Sequence, residues 1–265
     1  MNNDAVLDWR VADLRQALQT WLPSLQVEVA ARIDSSNAEL MRRVRAGDTR
    51  PVLLIAEQQS AARGRLGRQW QSGVKAGDAL SVSLALPLHP RDWSGLSLVI
   101  GLAVAESLHP DIGLKWPNDL WWEDRKLAGI LVETAAAPGA QSPRMVVIGV
   151  GLNLASVSGQ EFSIRPVGLR ELRPDLDAPA ALRLLAPSLL QQVLDFEQTG
   201  FAPFRERFQM RDVLAGRPVT LSDGRSGVAR GLAEDGALCV ATDAGLERIH
   251  SSEISVRPQD RKQGA

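Results

Sequence analysis

Apolar residues at Val11, Leu14, Leu18 and Trp21 recur at the spacing of one helical face, with Asp8 before them and Pro23 after. That pattern predicts an amphipathic helix over 8–21. Val27, Val29 and Ala31 then alternate with Glu28, Ala30 and Arg32, as in a half-buried strand. Asp34-Ser35-Ser36-Asn37 supplies N-cap chemistry for a helix reaching about Ala46, and Gly47 stops it. A continuous apolar run, 52–56, reads as a short strand. A polar loop over 57–78 follows, with four glycines and three arginines. Leu80, Val82, Leu84 and Leu86 alternate as another strand, and 93–108 is a helix apolar on most sides, hence predicted to be buried.

Strands over 113–116, 120–122, 126–134 and 145–154 come at hairpin spacing, which predicts a largely antiparallel sheet. A polar, proline-rich loop over 156–179 leads to helices over 180–197 and 202–210. The five phenylalanines, Phe162 to Phe208, are expected to fasten these helices to the body. From 218 to 256 short strands alternate with Asp-Gly and Ala-Gly turns, the pattern of a small barrel. The predicted class is α+β: a mixed, largely antiparallel sheet with flanking helices over 1–212, a small β-barrel over 213–258, and a frayed tail over 259–265.

Composition narrows this picture. The 265 residues carry a net charge of −1, which argues against a dedicated nucleic-acid binder. The single cysteine, Cys239, allows no intrachain disulfide or cysteine-based metal cluster and fits a reducing compartment. With no signal-peptide pattern and no apolar run of ~18 residues, the expected setting is cytoplasmic, without a membrane. There are 26 arginines but four lysines, Lys75, Lys115, Lys126 and Lys262, so each lysine is a better candidate than usual for a role needing a compact charge. Five of seven tryptophans fall between Trp70 and Trp122, pointing to one aromatic-rich core or pocket.

Candidate chemistry centres on Arg63-Gly64-Arg65-Leu66-Gly67-Arg68-Gln69-Trp70. Glycines let the backbone approach a ligand, and arginines grip phosphate or carboxylate oxygens. A solvated basic loop is the plain alternative. Lys115-Trp116-Pro117-Asn118-Asp119 reads either as a turn or as ligand contacts from Lys115 and Asn118 with a metal on Asp119. Lys126 is either a strand-edge charge or a ligand contact. Ser35-Ser36-Asn37 is first a helix cap, a role compatible with binding polar ligand atoms. Gly149-Val150-Gly151 lacks the third glycine and following helix of a dinucleotide fingerprint, and no phosphate-loop motif occurs.

Together these segments resemble the biotin–protein ligase family. The arginine loop is similar to its G-R-G-R-x-G-R-x-W motif, and Lys115 to Asp119 to its K-W-P-N-D. Lys126 to Glu133 matches K-L-A-G-I-L-V-E, Asp34 to Asn37 resembles D-S-T-N, and Gly149-x-Gly151-x-Asn153 its G-x-G-x-N. Ala62 departs from the first glycine of the loop, Ser36 replaces threonine, and 156–166 offers no match.

The resemblance implies a class II synthetase-like catalytic fold with an SH3-like C-terminal barrel. It implies an ATP-dependent ligase that forms biotinyl-adenylate and transfers biotin to a lysine of the biotin carboxyl carrier protein of acetyl-CoA carboxylase. Ser35, Ser36, Asn37, Gln59, Arg63, Gly64, Arg65 and Lys126 would hold biotin. Arg65, Arg68, Trp70, Lys115, Asn118, Asp119 and Asn153 would hold ATP or the adenylate. Lys126, Arg63 and Arg65 would be catalytic, and Asp119 would hold magnesium. About 34 residues before Ser35 leave no room for the DNA-binding module of bifunctional members, so no nucleic-acid partner is expected. Homodimerisation stays open. The competing functions are a lipoate or octanoate ligase of the same architecture and a non-enzymatic biotin-responsive repressor.

Overall fold

Seven strands form one sheet whose two faces differ in side-chain size, and that difference makes the site. A computed structural model describes residues 7–70, 75–138, 143–156, 166–250 and 256–258. Strands β1 (Gln26–Ile33), β2 (Val52–Gln59), β3 (Ala79–Pro87), β4 (Gly113–Lys115), β5 (Asp119–Trp122), β6 (Arg125–Ala136) and β7 (Arg144–Asn153) lie in the order β1-β2-β3-β7-β6-β5-β4. The pair β1 and β2 is parallel, because helix α2 (Ser36–Arg45) carries the chain back across between them. All other pairings are antiparallel.

On one face, Leu53, Ile55, Leu80, Val82, Leu84, Ile148 and Val150 pack into a core shared with α1 (Val11–Gln19), α3 (Leu96–Leu108) and α4 (Ala178–Thr199). On the other, Val52, Leu54, Ala85, Met145 and Val147 pack under Leu40, Met41 and Val44 of α2. Further along that second face the residues shrink to Ser81, Ser83, Gly149 and Gly151, and a cavity opens where larger side chains would stand. Both faces of β3 are covered, so Ala79 to Leu86 are all buried.

The first helix is shorter than its periodicity predicts. It starts after Arg10, which is left-handed at φ 46°, and ends at Gln19. Trp21 therefore falls off the apolar stripe of Leu14 and Leu18 and is 47% exposed. Trp9 takes the core position instead, its Nε1 donating to Glu57 Oε1 at 2.8 Å. Helix α3 begins at Leu96 because Gly95 takes φ 85°, where a Cβ would meet the Phe201 ring at 2.6 Å. Phe196, Phe201, Phe204 and Phe208 are all buried; Phe162 lies outside the described residues. The tryptophans divide rather than cluster. Trp116 and Trp121 are core, Trp70 lies in the cavity, and Trp93 flanks a neighbouring cleft.

The C-terminal part is an antiparallel sheet of β8 (Pro218–Leu221), β9 (Ser226–Leu232), β10 (Leu238–Thr242), β11 (Gly245–Ile249) and β12 (Val256–Pro258), in the order β11-β10-β9-β8-β12. Val219, Leu221, Ala229, Leu238 and Val240 join the same apolar cluster as the body. Trp116 Nε1 also donates across to Gly236 O at 3.0 Å. The frayed tail expected over 259–265 lies outside the described residues. Among the described residues, no helix is long and apolar enough to cross a membrane.

Asp212 sits where the two parts meet, bridged to Leu114. Its Oδ1 accepts from Leu214 N at 2.9 Å, while Oδ2 is buried without a partner. Burial pushes this carboxyl up to about 6. A carboxyl raised on folding holds its proton more tightly in the native state, so stability falls as pH climbs from about 4 to about 6. Above that range the buried charge costs on the order of 2 kcal/mol. Asp212→Asn is expected to raise the melting temperature at pH 8 and leave it unchanged at pH 4. Equal shifts at both pH values would contradict this origin.

Candidate active site

The cavity on the small-residue face has a volume of about 330 Å³. One end is built by the start of α2. Ser35 caps the helix, its Oγ accepting from Ala38 N at 3.3 Å. Ser36 N approaches Gln59 Oε1 at 2.8 Å and Ser36 Oγ approaches it at 3.2 Å, which turns the Gln59 amide nitrogen away from Ser36. Asp34, beside them, is engaged outward. Arg42 grips both of its oxygens, at 2.8 and 2.9 Å, and these bonds hold its carboxyl well below the usual carboxylate range.

Asn37, expected to touch the ligand ring, has both ends of its amide engaged within the protein. Nδ2 donates to Glu133 Oε2 at 3.0 Å, and Oδ1 lies 2.6 Å from Ser83 Oγ. Gly149 makes room for it, since a Cβ there would stand 2.4 Å from Asn37 Oδ1.

The arginine loop folds over the sheet. Gly64 N donates to Arg68 O at 2.7 Å and Trp70 N to Ala62 O at 3.0 Å, closing the loop on itself. Its tip is a single tight turn, Arg65–Gly67, with Leu66 and Gly67 left-handed at φ 57° and 70°. The Trp70 ring lies on two glycines of the cavity floor. A Cβ on Gly151 would come within 2.5 Å of it, and one on Gly129 within 3.2 Å. Trp70 Nε1 is buried without a partner.

The middle of the cavity is cationic. Lys115 is 5% exposed, with its Nζ 3.7 Å from Asp119 Oδ2, while Lys126 Nζ meets Asp119 Oδ1 at 2.5 Å. Burial pulls the Lys115 ammonium down from the ordinary lysine range, against the attraction of Asp119. Burial likewise lowers Arg65, whose Nη1 donates to Asn118 Oδ1 at 3.3 Å. Asn118 Nδ2 donates to Ile130 O at 2.8 Å, and Asn153 Nδ2 to Lys126 O at 3.3 Å, so both hold strand β6 in place. Among the described residues Arg63, Arg65, Arg68, Lys115, Lys126 and Arg257 line the cavity against one carboxylate, Asp119. Such a field suits a ligand with several negative charges.

The magnesium expected on Asp119 does not fit these residues. Among the described residues Asp119 is the single carboxylate in the lining, and both its oxygens face ammonium groups. No group of three His, Cys, Asp or Glu side chains suited to a metal occurs among the described residues.

All fourteen residues singled out in the sequence reach this one cavity. Sequence reasoning missed Ser81, Ser83, Gly129, Pro166, Val256 and Arg257, which also line it, and Glu133 behind it. Ser81 Oγ is buried there without a partner.

Residues 29–153 match the Biotin/lipoate A/B protein ligase family, and 215–257 the Biotin protein ligase C terminal domain. The bifunctional ligase/repressor BirA of Escherichia coli is 37% identical over 247 residues, covering 89% of this chain and 75% of that protein. The biotin–[acetyl-CoA-carboxylase] ligase of Mycobacterium tuberculosis is 34% identical over 232 residues, covering 81% of this chain and 83% of that one. The biotin protein ligase of Aquifex aeolicus, solved with biotin and ATP, superposes with a TM-score of 0.72 at 25% identity, covering 88% of this chain and 99% of that one. The chain belongs to the biotin protein ligase family, and it is an enzyme.

Proposed function

We propose that this enzyme joins biotin and ATP into biotinyl-adenylate and passes the biotin to a lysine of the biotin carboxyl carrier protein of acetyl-CoA carboxylase. The observation that carries the reading is the make-up of the cavity: hydroxyls and an amide from the start of α2 and from β2, and six cations from the arginine loop, β4, β6 and β12. Ser35, Ser36 and Gln59 suit a ring that offers both N–H and C=O. Lys126 would hold the carboxylate that reacts, and Arg63, Arg65, Arg68, Lys115 and Arg257 the phosphates.

In the first step a biotin carboxylate oxygen attacks the α-phosphorus, forming the mixed anhydride as the bond to pyrophosphate breaks. Two anions must meet, so clustered ammonium and guanidinium groups lower the barrier chiefly by electrostatic stabilisation. Magnesium would enter as part of the nucleotide substrate, because the described residues offer it no carboxylate cluster. In the second step the carrier lysine amine attacks the anhydride carbonyl and AMP leaves. Trp70 would cover the anhydride against water, resting on Gly129 and Gly151. The lining contains no cysteine or histidine, and neither step calls for a nucleophile on the enzyme.

The names of the M. tuberculosis and Paracoccus denitrificans relatives, both biotin–[acetyl-CoA-carboxylase] ligases, support the carrier. Incubation with biotin, MgATP and a purified biotin carboxyl carrier domain is expected to add one biotin to one lysine, read by intact mass. Modification of a lipoyl domain in preference to the biotin carrier would overturn the assignment.

A further inference from the structure

We propose that Glu133, which does not line the cavity, fixes Ser36 Oγ as a hydrogen-bond acceptor at the ring end, acting through Asn37 and Ser83. The inference rests on the biotin reading above and adds how the site distinguishes a ring N–H from other ring atoms.

The number of protons available fixes the orientation of each group. A carboxylate has none to give, so Asn37 must turn Nδ2 toward Glu133 Oε2, 3.0 Å away. Asn37 Oδ1 then faces Ser83 Oγ at 2.6 Å and can only accept. Ser83 has one hydroxyl proton and two oxygen neighbours, Asn37 Oδ1 and Ser36 Oγ, the latter at 2.7 Å. Its proton goes to the amide oxygen, the shorter contact and the one that cannot reciprocate. Two hydroxyl oxygens 2.7 Å apart need a proton between them, so Ser36 gives its own to Ser83 Oγ and not to Gln59 Oε1, which is farther at 3.2 Å and already takes the Ser36 backbone N–H. Ser36 Oγ therefore keeps its remaining lone pair for the cavity. Gln59 is fixed by a parallel argument: its Oε1 takes the Ser36 backbone N–H at 2.8 Å, so its Nε2 remains as a donor.

The pair presents an acceptor, Ser36 Oγ, beside a donor, Gln59 Nε2. That is the complement of an N–H next to a C=O, as in a cyclic urea. Ser36, Asn37 and Ser83 are each under 5% exposed, so solvent does not compete to reset the hydroxyls. A buried network whose members are all paired is rigid in this way. Gly149 belongs to the same device, because any side chain there would displace Asn37 Oδ1. Glu133 is thus a positioning residue.

Without Glu133 the Asn37 amide can rotate and offer Nδ2 to Ser83. Ser83 then donates to Ser36, whose own proton is released to turn either to Gln59 Oε1, 3.2 Å away, or to the cavity, so Ser36 can meet an N–H or an oxygen of the ring. The test compares, by calorimetry on the full chain, biotin with its carbamate isostere, in which one ring N–H is replaced by oxygen. Wild type is expected to prefer biotin by at least 30-fold. Glu133→Ala is expected to reduce the preference to threefold or less, chiefly by tightening the carbamate, with the KM for ATP unchanged. Glu133→Gln keeps an acceptor for Asn37 and should restore the preference.

Ser83→Ala, a loss of one hydroxyl, is expected to lower the preference in the same way, and the double variant should lower it no further. If the alanine variants weaken both ligands equally, Glu133 and Ser83 are structural supports only and the inference is wrong. A wild-type enzyme that fails to bind biotin would overturn the biotin reading itself, and with it this inference.

Discussion

Replacing Lys126 by alanine is expected to slow adenylate formation about 100-fold while moving the melting temperature by no more than a degree or two. Lys126 Nζ stands 2.5 Å from Asp119 and 5.6 Å from the centre of the Trp70 ring, in the middle of the cavity. Its side chain is 30% exposed, so its removal leaves no buried void. A partly exposed ion pair contributes about 0–1 kcal/mol to folding. A preorganised charge on the reacting oxygen is worth ~3 kcal/mol in the transition state, which sets the factor of 100. Asp119 keeps a second ammonium, Lys115 at 3.7 Å, so the carboxylate is not orphaned. Pre-steady-state measurement of adenylate beside differential scanning calorimetry checks both halves. A loss of rate that simply followed a loss of stability would remove Lys126 from the chemistry.

Deleting 214–265 is expected to abolish cooperative folding. This differs from what the motifs suggest. The C-terminal segment carries none of the five, so it reads as an accessory whose loss would spare biotin binding. The packing says otherwise. Leu214, Val219, Leu221, Leu232, Leu238 and Val240 all belong to the central apolar cluster. Gly236 lies so close to α3 that a Cβ would come within 3.0 Å of Leu98. Its carbonyl also satisfies the indole of Trp116, which is 1% exposed. Each large apolar side chain of the body stripped of cover costs about 1.5–3 kcal/mol, so a handful together is comparable with the ~5–15 kcal/mol that holds a domain folded. The truncated chain should show no thermal transition by circular dichroism. A sharp transition, with biotin still bound, would show that the body folds alone. Arg257→Ala asks the functional question without that damage. It should raise the KM for ATP about tenfold with the fold intact, because Arg257 reaches the cavity from β12.

The parts of this site legible in the sequence are those where one short segment carries both shape and charge. Arg63 to Trp70 combines glycines, arginines and an aromatic, and Lys115 and Lys126 stand out in a chain of four lysines. The missed residues act on segments remote in sequence. Ser81 and Ser83 read as the wet side of a half-buried strand, but the cavity and α2 cover that side. Gly149 and Gly151 look like a broken nucleotide fingerprint. Their purpose is to seat Asn37 and Trp70, which arrive from α2 and the arginine loop. Glu133 closes the motif strand and gives no sign that its partner is Asn37. Trp21 shows the reverse error: its spacing continues the stripe of Leu14 and Leu18, but the helix ends at Gln19.

Which acid the cavity activates decides the function of the enzyme. Exchange of labelled pyrophosphate into ATP reads the first step alone, without a carrier. The purified enzyme is expected to catalyse exchange when biotin is added and to show only background exchange with octanoate or lipoate. Exchange driven by octanoate and not by biotin would contradict the assignment.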